Sequence, residues 1–127
     1  MRSSILVILS AFLVAVHALP AASTAAELVM IEERGCIWCA RWNKEIAPIY
    51  AKTPEGRTLG LRRIDIASTD PDGVTFKRKV VYTPTFVLVE DGRELGRIEG
   101  YPGEEFFWGL LDRLLKENAI PIEEGNE

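Results

Sequence analysis

The sequence predicts an α/β domain: a four-stranded mixed sheet with helices on both faces. Three observations carry this. Residues 28–32 and 86–89 are continuous apolar runs of strand length. Residues from Cys36 onward and again from 104 to 118 place apolar side chains three and four apart, the helical period. Glu90-Asp91-Gly92-Arg93 is a hairpin turn signal directly after the strongest β run. In chain order the elements read β-α-β-α-β-β-α. The β-α-β unit implies a parallel pair, and the hairpin adds an antiparallel edge. Burying both faces of such a sheet calls for helices above and below it.

Residues 1–26 read as a secretory signal rather than part of the fold. Arg2 supplies the positive start, and residues 5–16 form an apolar run of 12 residues broken only by Ser10. That is short for a bilayer span, which takes about 20 residues. Pro20 and the small residues 21–26 follow, with cleavage expected after Ala26. The domain is expected over 27–120, with a polar, flexible tail over 121–127. Residues 28–32 form the first strand, and Glu33-Arg34-Gly35 breaks it. Cys39, Trp42, Ile46 and Ile49 then share one helical face. Pro48 is expected to end or kink this helix, since it lacks the N–H the ladder needs. Thr53-Pro54-Glu55-Gly56 is a turn, and 59–66 the next strand. Asp70-Pro71-Asp72 reads as a helix start, with a short basic helix over 74–80. Thr83-Pro84-Thr85 opens the β run at 86–89, and 94–99 pairs back across the turn. Gly100-Tyr101-Pro102-Gly103 breaks that strand. The final helix, 104–118, has Phe107, Leu110, Leu111, Leu114 and Leu115 as its apolar stripe. Glu104 and Glu105 sit in its first turn, where the helix dipole favours acids. Phe106-Phe107-Trp108 reads as packing within this helix.

Composition narrows the function. The chain has 127 residues, 47% hydrophobic and 27% charged, an ordinary globular balance. The net charge of −4 offers no basic face of the kind a nucleic-acid grip needs. Arg62-Arg63 and Lys77-Arg78-Lys79 are short enough to be solvated surface. Cleavage after Ala26 would leave 101 residues at net charge −5 and remove His17, the single histidine. Such a chain has no imidazole for Ser-His-Asp or Cys-His catalysis and none to ligate a metal. An exported, single-domain protein in an oxidising compartment is the expectation, the periplasm for a bacterial source.

The chemistry sits at Cys36-Ile37-Trp38-Cys39. Cys36 falls at a helix start, where unpaired backbone N–H groups and the helix dipole stabilise a thiolate. The thiolate is the nucleophile. Cys39 lies a turn further on, facing the core, placed to attack a mixed disulfide formed at Cys36. An inert structural bridge is the first alternative. So short a loop would stabilise by only about 2 kcal/mol, a poor use of the pair. A Cu(I) or Zn(II) module is the second, although the mature chain would offer only Met30 and carboxylates as further ligands.

The Cys-x-x-Cys pair after a first strand, Thr83-Pro84 before the hairpin and the element order resemble the thioredoxin superfamily. The likeness covers about residues 28–117. Gly92 and Gly100, eight and sixteen residues after Pro84, fall where thioredoxins carry glycines. The stretch 30–42 is similar to the small periplasmic thioredoxins of sulfur-oxidation (Sox) systems, the SoxS-like group. The resemblance implies thiol–disulfide exchange with Cys36 as nucleophile, Cys39 as resolving thiol and a Cys36–Cys39 disulfide when oxidised. It implies a cis Pro84, with Thr83, Pro84, Trp38 and Gly100 forming the docking surface. No cofactor or metal is implied. The partners would be periplasmic protein thiols and disulfides, among them a Sox-system protein, with a membrane thiol-electron carrier as reductant and the protein itself a monomer. An oxidant or isomerase of the same fold is the remaining alternative. The chain also departs from the family. The buried acid that thioredoxins place six residues before the first cysteine is here Met30, and its lysine partner is Leu61. Glu32 and Glu33 are the nearest acids.

Overall fold

A computed structural model describes residues 25–68 and 73–123 of the chain. The elements are β1 (Glu27–Glu32), α1 (Ile37–Glu45), α2 (Ala47–Tyr50), α3 (Pro54–Thr58), β2 (Gly60–Asp65), β3 (Thr85–Glu90), β4 (Arg93–Glu99) and α4 (Glu104–Glu117). The strands form one sheet in the order β2-β1-β3-β4. β1 and β2 run parallel, whereas β3 is antiparallel to both β1 and β4. This is the mixed four-stranded sheet expected from the sequence. The expected signal segment up to residue 24, the expected helix start at Asp70-Pro71-Asp72 and residues 124–127 lie outside the described residues.

Successive side chains on a strand point to opposite faces, so the central apolar runs feed two cores. Leu28, Met30, Phe86 and Leu88 face the main core, with Trp42 and Ile46 from the α1 side and Phe107, Leu111, Leu114 and Leu115 from α4. Val29, Ile31, Val87 and Val89 face the other way, onto Val74 and Val80. Trp42 is the centre of the main core. Its ring lies 5.3 Å from Phe86 and 5.9 Å from Phe107, tilted and edge-on respectively.

The helix after Cys36 breaks where Pro48 requires it. Pro48 has no N–H for the Lys44 carbonyl. Helix α1 therefore ends at Glu45, and α2 restarts after Ile46. Tyr50, four residues after Ile46 and donating its N–H to the Ile46 carbonyl, continues the buried face, and Ile49 is exposed, which corrects the expected face at its last position. The Tyr50 hydroxyl donates to the Leu59 carbonyl at 3.0 Å and seals the end of the main core. Thr53-Pro54-Glu55-Gly56, expected as a turn, opens the short helix α3, with Thr53 Oγ1 accepting from the Gly56 N–H.

The helix expected over 74–80 does not form. No helical residue of the described chain joins the second core. This segment instead runs beside β4 as an irregular strap, bridged to Arg93 at Thr75. Thr75 pairs with the hairpin turn, its N–H donating to the Gly92 carbonyl and its carbonyl accepting from the Glu94 N–H. The Glu94 carboxylate takes the Lys77 N–H at 2.8 Å, and Arg97 donates to the Arg78 carbonyl at 2.8 Å. Backbone groups that a helix would pair internally are thus captured by β4 side chains. Both faces of the sheet are covered, the second by this strap.

The hairpin is tight. Asp91 and Gly92 both have positive φ, 50° and 73°, the pattern of a type I′ turn. A Cβ on Gly92 would come within 2.7 Å of the Gly73 carbonyl oxygen, so the glycine also lets the strap reach the turn.

Candidate active site

Strand directions bring the chemistry to one end of the sheet. β1 ends at Glu32 and feeds the Glu33–Cys36 loop. β3 runs antiparallel beside it, with Ile31 opposite Thr85, so Thr83-Pro84 stands next to that loop. β4 ends opposite the start of β3, with Glu99 across from Thr85, which brings Gly100 to the same end.

Cys36 is the N-cap of α1. The loop turns at Gly35, φ 82°, and closes with the Cys36 N–H donating to the Glu33 carbonyl. Cys36 itself is extended (φ −70°, ψ 108°), which aims its side chain back over the first turn. The Cys39 N–H donates to Cys36 Sγ at 3.0 Å. This is the capping bond that Ser or Asp makes elsewhere, with sulfur as acceptor. The two cysteines are joined as a disulfide with a Cα–Cα separation of 5.2 Å. Cys36 is half-buried and Cys39 only 3% exposed, inside the main core. One sulfur can therefore be reached from solvent, while the other is held behind it.

Pro84 is buried, and its peptide bond to Thr83 is cis. Its carbonyl accepts from the Gly100 N–H at 2.7 Å, which locks the start of β3 to the end of β4. Gly100 has φ 84°, a conformation open to glycine at little cost. Thr83 Oγ1 donates to Glu33 Oε2 at 3.3 Å, so the cysteine loop and the Thr83 loop touch through side chains as well.

Trp38, Thr83 and Gly100 line one open groove of about 350 Å³ together with Tyr82 and Glu99. Trp38 is 48% exposed, and Ile37 (71%), Val81 and Tyr82 are further exposed apolar side chains in the same two segments. Tyr82 was not singled out from the sequence. The available signal was its place directly before Thr83-Pro84 in the run Val80-Val81-Tyr82, of which only Val80 turns inward.

Met30 is fully buried in the main core, and Leu61 packs against the same cluster. No ionisable side chain stands at either position. Glu32 is held by Arg63 at 2.9 Å, and Arg63 also donates to Met30 Sδ and to Asn43 Oδ1. The two acids nearest the cysteines are thus engaged, Glu32 with a cation and Glu33 with a hydroxyl.

Neither the family models nor the curated proteins contain a match to this chain. Solved structures do. The periplasmic thioredoxin SoxS of Paracoccus pantotrophus, in its reduced form, is 47% identical with a TM-score of 0.71, covering 73% of this chain and 98% of that one. This chain belongs to the thioredoxin superfamily. It is SoxS-like within that superfamily, and it is a thiol–disulfide oxidoreductase with a Cys-x-x-Cys pair. The thioredoxin of Fasciola hepatica has the same fold at 23% identity and a TM-score of 0.52, covering 69% of this chain and 79% of that one. Against the usual thioredoxin arrangement, this thioredoxin keeps the helix-start cysteine and the Thr-Pro loop while replacing the buried acid by Met30.

Proposed function

We propose that this thioredoxin is exported by a cleaved signal over residues 1–26 to the periplasm. There it reduces disulfides or thiol adducts on partner proteins, in support of a sulfur-oxidation system. The observation that carries the reading is Cys36 as a helix N-cap, its sulfur accepting the Cys39 N–H while Cys39 stays buried. In the reduced protein that N–H faces a thiolate, which it stabilises together with the helix N-terminus. Cys36 Sγ attacks a client disulfide, forming a mixed disulfide and expelling one client thiolate. Cys39 Sγ then attacks Cys36 Sγ and expels the second. Two electrons pass to the client, the two thiolates leave and take up protons, and the Cys36–Cys39 disulfide remains. Trp38, Thr83 and Gly100 form the docking surface, with Tyr82 added, and the buried Pro84 sets the Thr83 backbone from behind it. An extended client segment would lie in the groove against the backbone of Thr83. The similarity to a periplasmic SoxS supports the location and the sulfur-oxidation partner, with a membrane thiol-electron carrier returning the protein to its dithiol form.

The test is covalent capture. Cys39→Ser removes the resolving thiol, so clients should accumulate as mixed disulfides on Cys36, released by dithiothreitol. Periplasmic extracts passed over Cys39→Ser, wild-type and Cys36→Ser proteins should yield clients only from the first. Equal recovery from all three would rule out the covalent relay.

A further inference from the structure

Arg41 lies behind the groove wall and ties three parts of the molecule together. Its guanidinium sits 6.0 Å from the centroid of the Trp38 ring and 5.8 Å from that of Tyr101. Its Nε donates to Glu45 Oε1 at 2.9 Å. The other oxygen of Glu45 accepts from the Tyr101 hydroxyl at 2.5 Å. Glu45 is therefore engaged at both oxygens, one with the cation and one with Tyr101, which anchors the carboxylate that holds Arg41. Hydrogen bonds from Tyr101 first, and from Arg41 next, hold the Glu45 carboxyl below its ordinary range, so it stays charged at neutral pH. Tyr101 is itself fixed, buried and edge-on to Phe107 at 6.2 Å.

The two rings have different standing. Tyr101 follows Gly100 and belongs to the core. Trp38 lies between the cysteines, half in solvent, and walls the groove. Among the described residues no other ring or cation stacks on it. An exposed indole left to itself would sample several rotamers, and ordering it would weaken each docking event. A cation held against its face removes that freedom beforehand.

We propose that Arg41 is a positioning residue that, braced by Glu45 and Tyr101, fixes the Trp38 indole as a rigid wall for extended polypeptide disulfides. This rests on the groove being the client surface, as proposed above. Arg41 acts on docking, not on sulfur exchange. Its planar fork is part of the device: it lies between two rings while its Nε reaches a carboxylate, and an ammonium cannot do both equally well.

The test compares reduced wild-type, Arg41→Gln, Arg41→Lys and Tyr101→Phe proteins by stopped-flow exchange. One probe is hydroxyethyl disulfide, small and uncharged. The other is an extended disulfide-bridged peptide. In Arg41→Gln the peptide-to-small-probe rate ratio should fall roughly fivefold to tenfold, with the loss in KM rather than kcat. Arg41→Lys, keeping the cation, should recover part of the ratio, and Tyr101→Phe should fall between Gln and wild type. Arg41 is on the surface, so Arg41→Gln should fold. A ratio within about twofold of wild type in Arg41→Gln, with wild type reacting with both probes, overturns the strut alone. A wild type inert toward hydroxyethyl disulfide sinks the exchange reading itself.

Discussion

Two pairs of side chains show how local chemistry decides what a residue contributes. At Cys36 and Cys39 a backbone N–H that would otherwise be an orphan of the first helical turn is donated to sulfur, and the proposed reactivity of Cys36 rests on that bond. At Glu94 and Arg97 the pair is structural. Both side chains are nearly sealed from solvent, 1% and 4% exposed, and they meet in a two-pronged contact of 2.7 Å on each prong. Burial works against a charged Glu94, but the Arg97 hydrogen bonds and the Lys77 N–H outweigh it, and the carboxyl stays below its usual range. A depressed carboxyl contributes stability that is fully present above the unfolded value near 4.5 and is lost as pH falls through the folded value. Urea denaturation should therefore show a midpoint falling on acidification below pH 4.5, with a shallower fall in Glu94→Gln. Arg97→Met at neutral pH should cost about 3 kcal/mol, because it leaves a buried carboxylate without its cation. A midpoint unchanged in Arg97→Met would show that the pair does not hold the strap.

Among the elements, the kink at Ile46 and the strap along β4 do the most to shape the domain. After the break at Ile46, Tyr50 reaches the Leu59 carbonyl, and α3 comes against the end of α2. That approach depends on Gly56, where a Cβ would come 1.7 Å from the Tyr50 carbonyl oxygen. Gly96 on β4 meets α4 in a comparable way, but there the obstacle is Leu114 Cδ1 at 2.6 Å, the far end of a flexible side chain. Gly96→Ala should accordingly cost no more than about 1 kcal/mol, and Gly56→Ala about 3 kcal/mol or more, since backbone cannot step aside. Equal midpoints for the two variants in urea would show that the α2–α3 junction can open. Helix α4 docks by its predicted stripe. Phe107, Leu111, Leu114 and Leu115 are buried, Trp108 stacks on Tyr50 at 6.2 Å, and Phe106 points to solvent at 69% exposure.

Taken whole, the molecule is a thioredoxin in which Thr83, Pro84, Trp38 and Gly100 meet at the end of the sheet that also carries the cysteines. The groove lies beside Cys36, which is half-buried, with Cys39 buried behind it, an arrangement suited to thiol–disulfide exchange in either direction. The proposed direction of exchange is measurable. Glutathione titration of the Cys36–Cys39 pair, followed by tryptophan fluorescence, should give a potential near or below about −200 mV for a reductant. A value near −120 mV would mark an oxidant and reverse the proposed flow.

Much of this is legible along the chain. Strand and helix positions follow from apolar periodicity, the hairpin from Asp91-Gly92, the helix break from Pro48, and the reactive pair from Cys36 and Cys39 opening a helix. These are local rules, acting over a turn or a pleat. Other features depend on residues far apart. The 74–80 segment follows a helix-start signal, but its Val, Thr and Phe favour a helix weakly, and Glu94 and Arg97, brought alongside only when β4 pairs with β3, take its backbone groups and leave it without a helix. Apolar periodicity marks neither Tyr82, which the fold turns into the groove, nor Arg41, which is braced only when Tyr101, 60 residues on, reaches Glu45. The pattern within each segment sets its tendency. Which tendency survives is decided by the partners that long-range pairing delivers, because a buried hydrogen bond or ion pair left unmade costs more than the local preference is worth.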